Sequence, residues 1–135
     1  MRWLSGIGLA ATLALAGGCI LLVAAVVGGA LAAGTYAYVE GEGRQDYRVS
    51  LDKLYETVNS MCEKRGIAVS GKGIDLSNAY VDGKLKGSQS SVSFKMDKLT
   101  ENTSRLRIRV GTFGDQQITQ DLHNEVGREL EQRLK

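Results

Sequence analysis

Cys19 stands in the middle of a run of 37 residues, Trp3 to Val39, that carries no charged side chain. It directly follows Ala16-Gly17-Gly18, and small residues at that place suit a signal peptidase. A second group is basic. Arg105, Arg107 and Arg109 alternate along one segment, and Lys95 shares their face if the last two strands pair as a hairpin. A row of this kind can dock anionic head groups, wall polymer or an acidic partner. The competing reading is a solvated strand face balanced by Asp82 and Asp97. The third group is Gly111-Thr-Phe-Gly-Asp115. A glycine-rich turn feeding a helix N-terminus can bind anions, but the Lys-Ser/Thr ending of a P-loop is missing and Asp115 would repel phosphate. Gly111 and Gly114 are therefore read as turn glycines and Asp115 as the N-cap of the next helix.

Little else points to catalysis. His123 is the only histidine; it falls at the edge of an apolar helix face, with no His or Cys partner at metal spacing. Cys62 lies on an apolar helix face as a small hydrophobe, with no cluster of bases to activate it. Carboxylates are scattered over wet faces without a convincing pair. No catalytic residue, metal or cofactor is expected, and a small envelope enzyme is the last-ranked alternative. Net charge is only +2, and no aromatic residues interleave the basic ones, which argues against a nucleic-acid partner.

The uncharged run is too long for one comfortable membrane span: as a helix it would reach ~55 Å, against a hydrocarbon core of ~30 Å. Residues 1–18 read as a signal peptide, with Met1-Arg2-Trp3 as its positive start and Leu4 to Leu15 as its apolar stretch. The passage into Cys19 resembles the lipobox of bacterial lipoproteins, which makes Cys19 the lipid attachment residue. Residues 19–39 are then a lipidated glycine- and alanine-rich anchor. Two outcomes are open for it, a tether leading away from Cys19 or a membrane-spanning helix. The small-xxx-small pairs Gly28/Ala32 and Gly29/Ala33 would let such a helix self-associate. Every charged residue except Arg2 lies after Val39, so residues 40–135 are read as one small domain outside the cytoplasm.

Within that domain Thr35 to Val49 reads as extended, with Gln45, Tyr47 and Val49 on one face and Arg44, Asp46 and Arg48 on the other. Gly41 and Gly43 loosen its first half. Ser50 is set to cap a helix whose stripe is Leu51, Leu54, Tyr55, Val58, Met61 and Cys62, ending at Gly66, with Ile67 over Cys62. Alternation predicts strands around residues 67–71, 81–85, 92–96 and 105–110. Turns fall at Asp75–Asn78, Gly87–Ser90 and Thr100–Thr103. Ile118, Leu122, Val126, Leu130 and Leu134 make one face of a last helix. The expected fold is α+β in two layers, an antiparallel sheet of 4 to 5 strands with two helices on one face, in the order β-α-β-β-β-β-α.

Tyr36-Ala-Tyr-Val39, Ser50-Leu-Asp-Lys-Leu-Tyr55 and above all Ile108-Arg-Val-Gly-Thr-Phe-Gly-Asp115 carry a resemblance to a family of small bacterial lipoproteins, domain of unknown function 3568. The resemblance covers most of the chain after Cys19 and is poorer from Gly71 to Ser90. It implies lipid anchoring at Cys19 and a domain on the outer side of a membrane, and it supplies no catalytic residues. The expected protein is a non-catalytic binding or scaffolding module of the bacterial cell envelope, facing the periplasm. Membrane lipid is its partner through Cys19 and the apolar segment. An anionic envelope component or an envelope protein is a further one. Ile20 in place of Asp after the cysteine favours the outer membrane. The alternative is a structural single-span protein that self-associates through its small residues.

Overall fold

The computed structural model describes residues 27–134. Residues 1–18, read from the sequence as a signal peptide, Cys19 and residues 20–26 lie outside the described residues. The domain opens with a single 3-10 turn, Gly29–Leu31, and continues as β1 (Ala32–Val39), β2 (Glu42–Tyr47), α1 (Leu51–Arg65), β3 (Ala68–Ile74), β4 (Asn78–Lys84), β5 (Ser91–Thr100), β6 (Thr103–Val110) and α2 (Gln116–Arg133). The strands form one sheet in the order β1-β2-β6-β5-β4-β3, with every neighbouring pair antiparallel. α1 carries the chain from β2 across to the far edge at β3, and a meander then returns it until β6 lies beside β2. α1 packs on the β3–β6 side and α2 on β2 and β6, so both helices cover one face.

The fold is the expected α+β sandwich with one strand more. The extended segment ending at Val49 is a hairpin. Val39 stands opposite Glu42, so the loop is two residues long. Those residues, Glu40 and Gly41, both have positive φ, 54° and 80°, the backbone that a tight hairpin of right-twisted strands requires. Gly43 is not linker but strand. Of the small-residue pairs Gly28/Ala32 and Gly29/Ala33, Gly28 caps the 3-10 turn, Gly29 opens it and both alanines lie in β1, so the pairs do not share an α-helix. The described domain thus takes in residues 27–39, before the boundary that charge alone suggests. An absence of charge does not separate a lipid-facing helix from a strand whose inward residues pack on protein.

The helix signals act as read. Ser50 Oγ accepts from the Lys53 N–H (3.3 Å), and Gly66, at φ 82°, returns its N–H to the Cys62 carbonyl. Ile67 N–H reaches the same carbonyl (2.9 Å), which places Ile67 over Cys62. The core is the inner side of the sheet against the two helix stripes. Leu54, Val58, Cys62, Val81, Phe94, Met96, Leu106, Ile108, Leu122, Val126 and Leu130 have no exposed surface, and side chains of this size each stabilise the fold by about 1.5–3 kcal/mol when fully buried. Among the described residues no helix is long and apolar enough to cross a membrane.

Candidate functional site

The face of the sheet away from the helices is open, and its side chains form a grid fixed by strand register. One row is Asn78, Asp97, Arg105 and Asp46. The middle row is Tyr80, Lys95, Arg107 and Arg44. The third is Asp82, Ser93, Arg109 and Glu42. β5 and β6 are paired, with Lys95 opposite Arg107, so the structure brings Lys95 and the three arginines onto one face.

The partners differ from arginine to arginine. Arg105 Nε meets Asp46 Oδ1 at 2.8 Å, directly across the strand pair, and that carboxylate holds the guanidinium above its ordinary pKa. Arg107 Nε binds Asp97 Oδ2 at 3.0 Å, and its Nη1 lies 3.8 Å from Glu42 Oε1. Arg109 donates to the backbone carbonyl of Glu40 at 2.7 Å. Arg44 Nε pairs with Glu42 at 3.1 Å. Asp97 is a partner visible in the sequence. Asp46 and Glu42 are not, because they become neighbours only once β2 is seen to pair with β6. The alternation Glu42-Arg44-Asp46 is the signal that points to them. Lys95 and Arg109 have no carboxylate within ion-pair distance among the described residues, and of the two only Arg109 is held by a backbone carbonyl. Beside Lys95 lies an open groove of about 510 Å³, lined by Gly73, Asn78, Tyr80, Lys95, Asp97 and Arg107 among others.

The Gly111–Asp115 run does something different. Gly111 and Gly114 have φ of 74° and 85°, and Asp115 accepts from the Ile118 N–H at 3.0 Å, so its own carboxylate fills the start of α2. A Cβ on Gly114 would lie 2.5 Å from Gly41 Cα and from the Tyr38 hydroxyl. The turn is therefore seated on the β1–β2 hairpin, and Tyr36–Val39 meets Ile108–Asp115 in space. Phe113, at its tip, is 92% exposed.

His123 sits deeper than its sequence position suggests. It has no exposed surface. Its Nε2 donates to the Gly43 carbonyl (2.9 Å), which leaves Nδ1 to accept from the Tyr47 hydroxyl (2.8 Å). Tyr47 stacks on the ring, and Tyr36 meets it edge-on. Burial pushes the imidazole pKa down to about 4 and the Tyr47 phenol well above 10, and it raises Tyr36 to about 12. Both ring nitrogens are occupied, so this is a neutral polar node that ties β2 to α2. Around it the packing requires glycine at position 43, where a Cβ would overlap Tyr36 and Thr119. Cys62 is likewise sealed, its thiol pushed up to about 12 by burial. Among the described residues no cluster of three His, Cys, Asp or Glu side chains could hold a metal.

Fold and face together define a two-layer α+β domain with a six-stranded antiparallel sheet, helices on one side and charged side chains in register on the other. The chain belongs to the family described as Protein of unknown function (DUF3568), which matches residues 4–129. No curated protein matches the chain.

Proposed function

We propose that this chain is a lipid-anchored protein of the bacterial cell envelope, acylated at Cys19, whose domain acts without catalysis as a binding module through the open face of its sheet. The observation that supports the anchor is the position of β1, which lies wholly inside the uncharged run. Only residues 20–31 separate Cys19 from it. As one helix they would reach ~18 Å, short of the ~30 Å hydrocarbon core. A span that starts after Cys19 has no room, whereas a lipid on Cys19 needs none. The self-associating helix loses its contacts as well, because Gly28 and Gly29 are docked on α2. Gly28 N–H donates to Asn124 Oδ1 (3.0 Å) and Ala30 N–H to Glu131 Oε1 (2.9 Å).

Eight residues lead from Cys19 to Val27, a tether of at most ~28 Å when extended. The domain is held close to the bilayer, within reach of anionic components of the envelope. Its open face supplies the binding groups, with Lys95 unpaired beside a groove.

The test is the intact mass of the membrane-extracted protein beside a Cys19→Ala variant. A mass equal to residues 19–135 plus acyl chains, absent in the variant, is the expected result. An unmodified full-length mass in both would sink the proposal and place a membrane segment within residues 3–26.

A further inference from the structure

The middle row of the open face assigns a ligand class to the binding module, and this inference rests on reading that face as the binding surface. Lys95, Arg107 and Arg44 stand directly opposite one another on β5, β6 and β2. Like charges in that relation destabilise a sheet unless carboxylates beside them compensate. The carboxylate partners sit off the row: Asp97 on one side and Glu42 on the other take up Arg107 and Arg44. Asp97 also lies where the Asn78 amide can donate to it at 2.9 Å. The carboxylates are thus committed, and what the row presents outward is N–H donors. A guanidinium has five of them, so both arginines keep donors in reserve, and the Lys95 ammonium has no carboxylate partner among the described residues.

Tyr80 ends the row, opposite Lys95 on β4. Its ring lies across the glycines of β3: a Cβ on Gly73 would come within 2.8 Å of the ring, and one on Gly71 within 3.9 Å. Glycine in a strand interior marks a place where another group approaches closely, and here it lets the phenol lie low, half exposed, along the groove. The row therefore reads as an aromatic platform followed by three cations, one per strand, at the strand spacing of about 4.8 Å.

We propose that this row binds an acidic polysaccharide whose chain crosses the strands, one carboxylate-bearing sugar to each. The strand spacing is close to the length of one pyranose unit, so a chain lying across the strands passes one sugar over each of Lys95, Arg107 and Arg44. The C–H face of the terminal sugar rests on Tyr80, whose flat ring offers apolar contact at little entropy cost. Arg107 and Arg44 receive carboxylates through donors their protein partners leave unused. A bilayer surface suits the row less well, because Asp46, Glu42 and Asp97 flank it and would face the same head groups.

The experiment titrates the full-length protein, in neutral detergent micelles, with an oligogalacturonate, a neutral dextran oligomer of similar length, and phosphatidylglycerol vesicles. Wild type, Lys95→Ser, Tyr80→Ser and the exposed control Lys72→Ser are compared, with circular dichroism confirming that each is folded. The expected result is salt-sensitive binding of the oligogalacturonate and none of dextran. Lys95→Ser weakens it about tenfold, Tyr80→Ser severalfold, and the control not at all, about 1.4 kcal/mol corresponding to each factor of ten. Oligogalacturonate binding that ignores Lys95 and Tyr80 overturns the inference. Lys95-dependent binding of vesicles alone overturns the polysaccharide and leaves the binding face standing. Binding of neither ligand removes both.

Discussion

Replacing His123 by Gln should remove a pH dependence that the native protein carries in its core. In the folded chain the imidazole is neutral, its Nε2–H donated to Gly43 and its Nδ1 occupied by Tyr47. Protonation would place a charge in an apolar interior and turn Nδ1 from an acceptor into a donor facing a hydroxyl. Burial therefore lowers the pKa from 6.5 to about 4. Below pH 6.5 the unfolded chain takes up a proton that the folded chain refuses until about pH 4. The stability tied to His123 is intact above pH 6.5 and is lost as the pH falls through that window. The full loss is about 3 kcal/mol at 1.36 kcal/mol per pH unit, and about 2 kcal/mol of it is gone by pH 5. Glutamine can donate to Gly43 and accept from Tyr47 without titrating. Urea unfolding of the full-length protein in micelles, followed by circular dichroism at pH 7.5 and pH 5, measures the effect. The wild type should lose about 2 kcal/mol more than His123→Gln over that interval. Equal losses in the two proteins would refute the assignment of a buried, neutral histidine.

Gly127→Ala should destabilise the domain by about 1–3 kcal/mol and free residues 27–31 to hydrogen exchange, because the new Cβ would overlap the Gly28 carbonyl; exchange unchanged at those amides would contradict the close helix crossing. Cys62 should resist alkylation by iodoacetamide at pH 8 and react only in denaturant, since its thiol is buried and its pKa is about 12; rapid labelling of the folded protein would show that the site is open. Changing Arg105, Arg107 and Arg109 together to Ser removes three surface ion pairs and one bond to a backbone carbonyl, each about 0–1 kcal/mol. The melting temperature should fall by only a few degrees, and a collapse of the fold would mean that these side chains are structural.

The helices were legible because their signals are local. Ser50 and Gly66 bracket α1, Asp115 opens α2, and apolar spacing sets both faces. The strands of the returning meander were legible from alternation, most clearly Arg105 to Val110. β1 was only partly legible: Thr35 to Val39 reads as extended, but Ala32-Ala-Gly34 continues an uncharged run without polar alternation, and the break from β2 is not marked by it. The signal of that break was the Glu40-Gly41 pair between two extended segments. The open face was half legible. Alternation placed the three arginines on one side, but which carboxylate each meets depends on β2 lying next to β6, a pairing between segments about sixty residues apart. His123 was misplaced for the same kind of reason: helix periodicity puts it at the edge of a face, while the strap at residues 27–31 and the tyrosines of β1 and β2 cover that edge.

Those covering elements also bear on how the domain is held. Residues 28–31 lie along α2, with Gly28 against the Tyr47 ring and Gly29 against Glu131. A pull on the apolar segment would therefore reach α2 and the Tyr47 partner of His123 as well as β1, which follows directly at Ala32. A tether that ended in a flexible polar linker would leave the domain free to turn. This one passes from the uncharged run into backbone hydrogen bonds with Asn124 and Glu131 within four residues of Val27. Under the proposed acylation of Cys19, the orientation of the open face would in this way be coupled to the anchor. Gly127 makes the close crossing possible, because a Cβ there would overlap the Gly28 carbonyl, while Gly28 holds a φ of 94° against the Tyr47 ring.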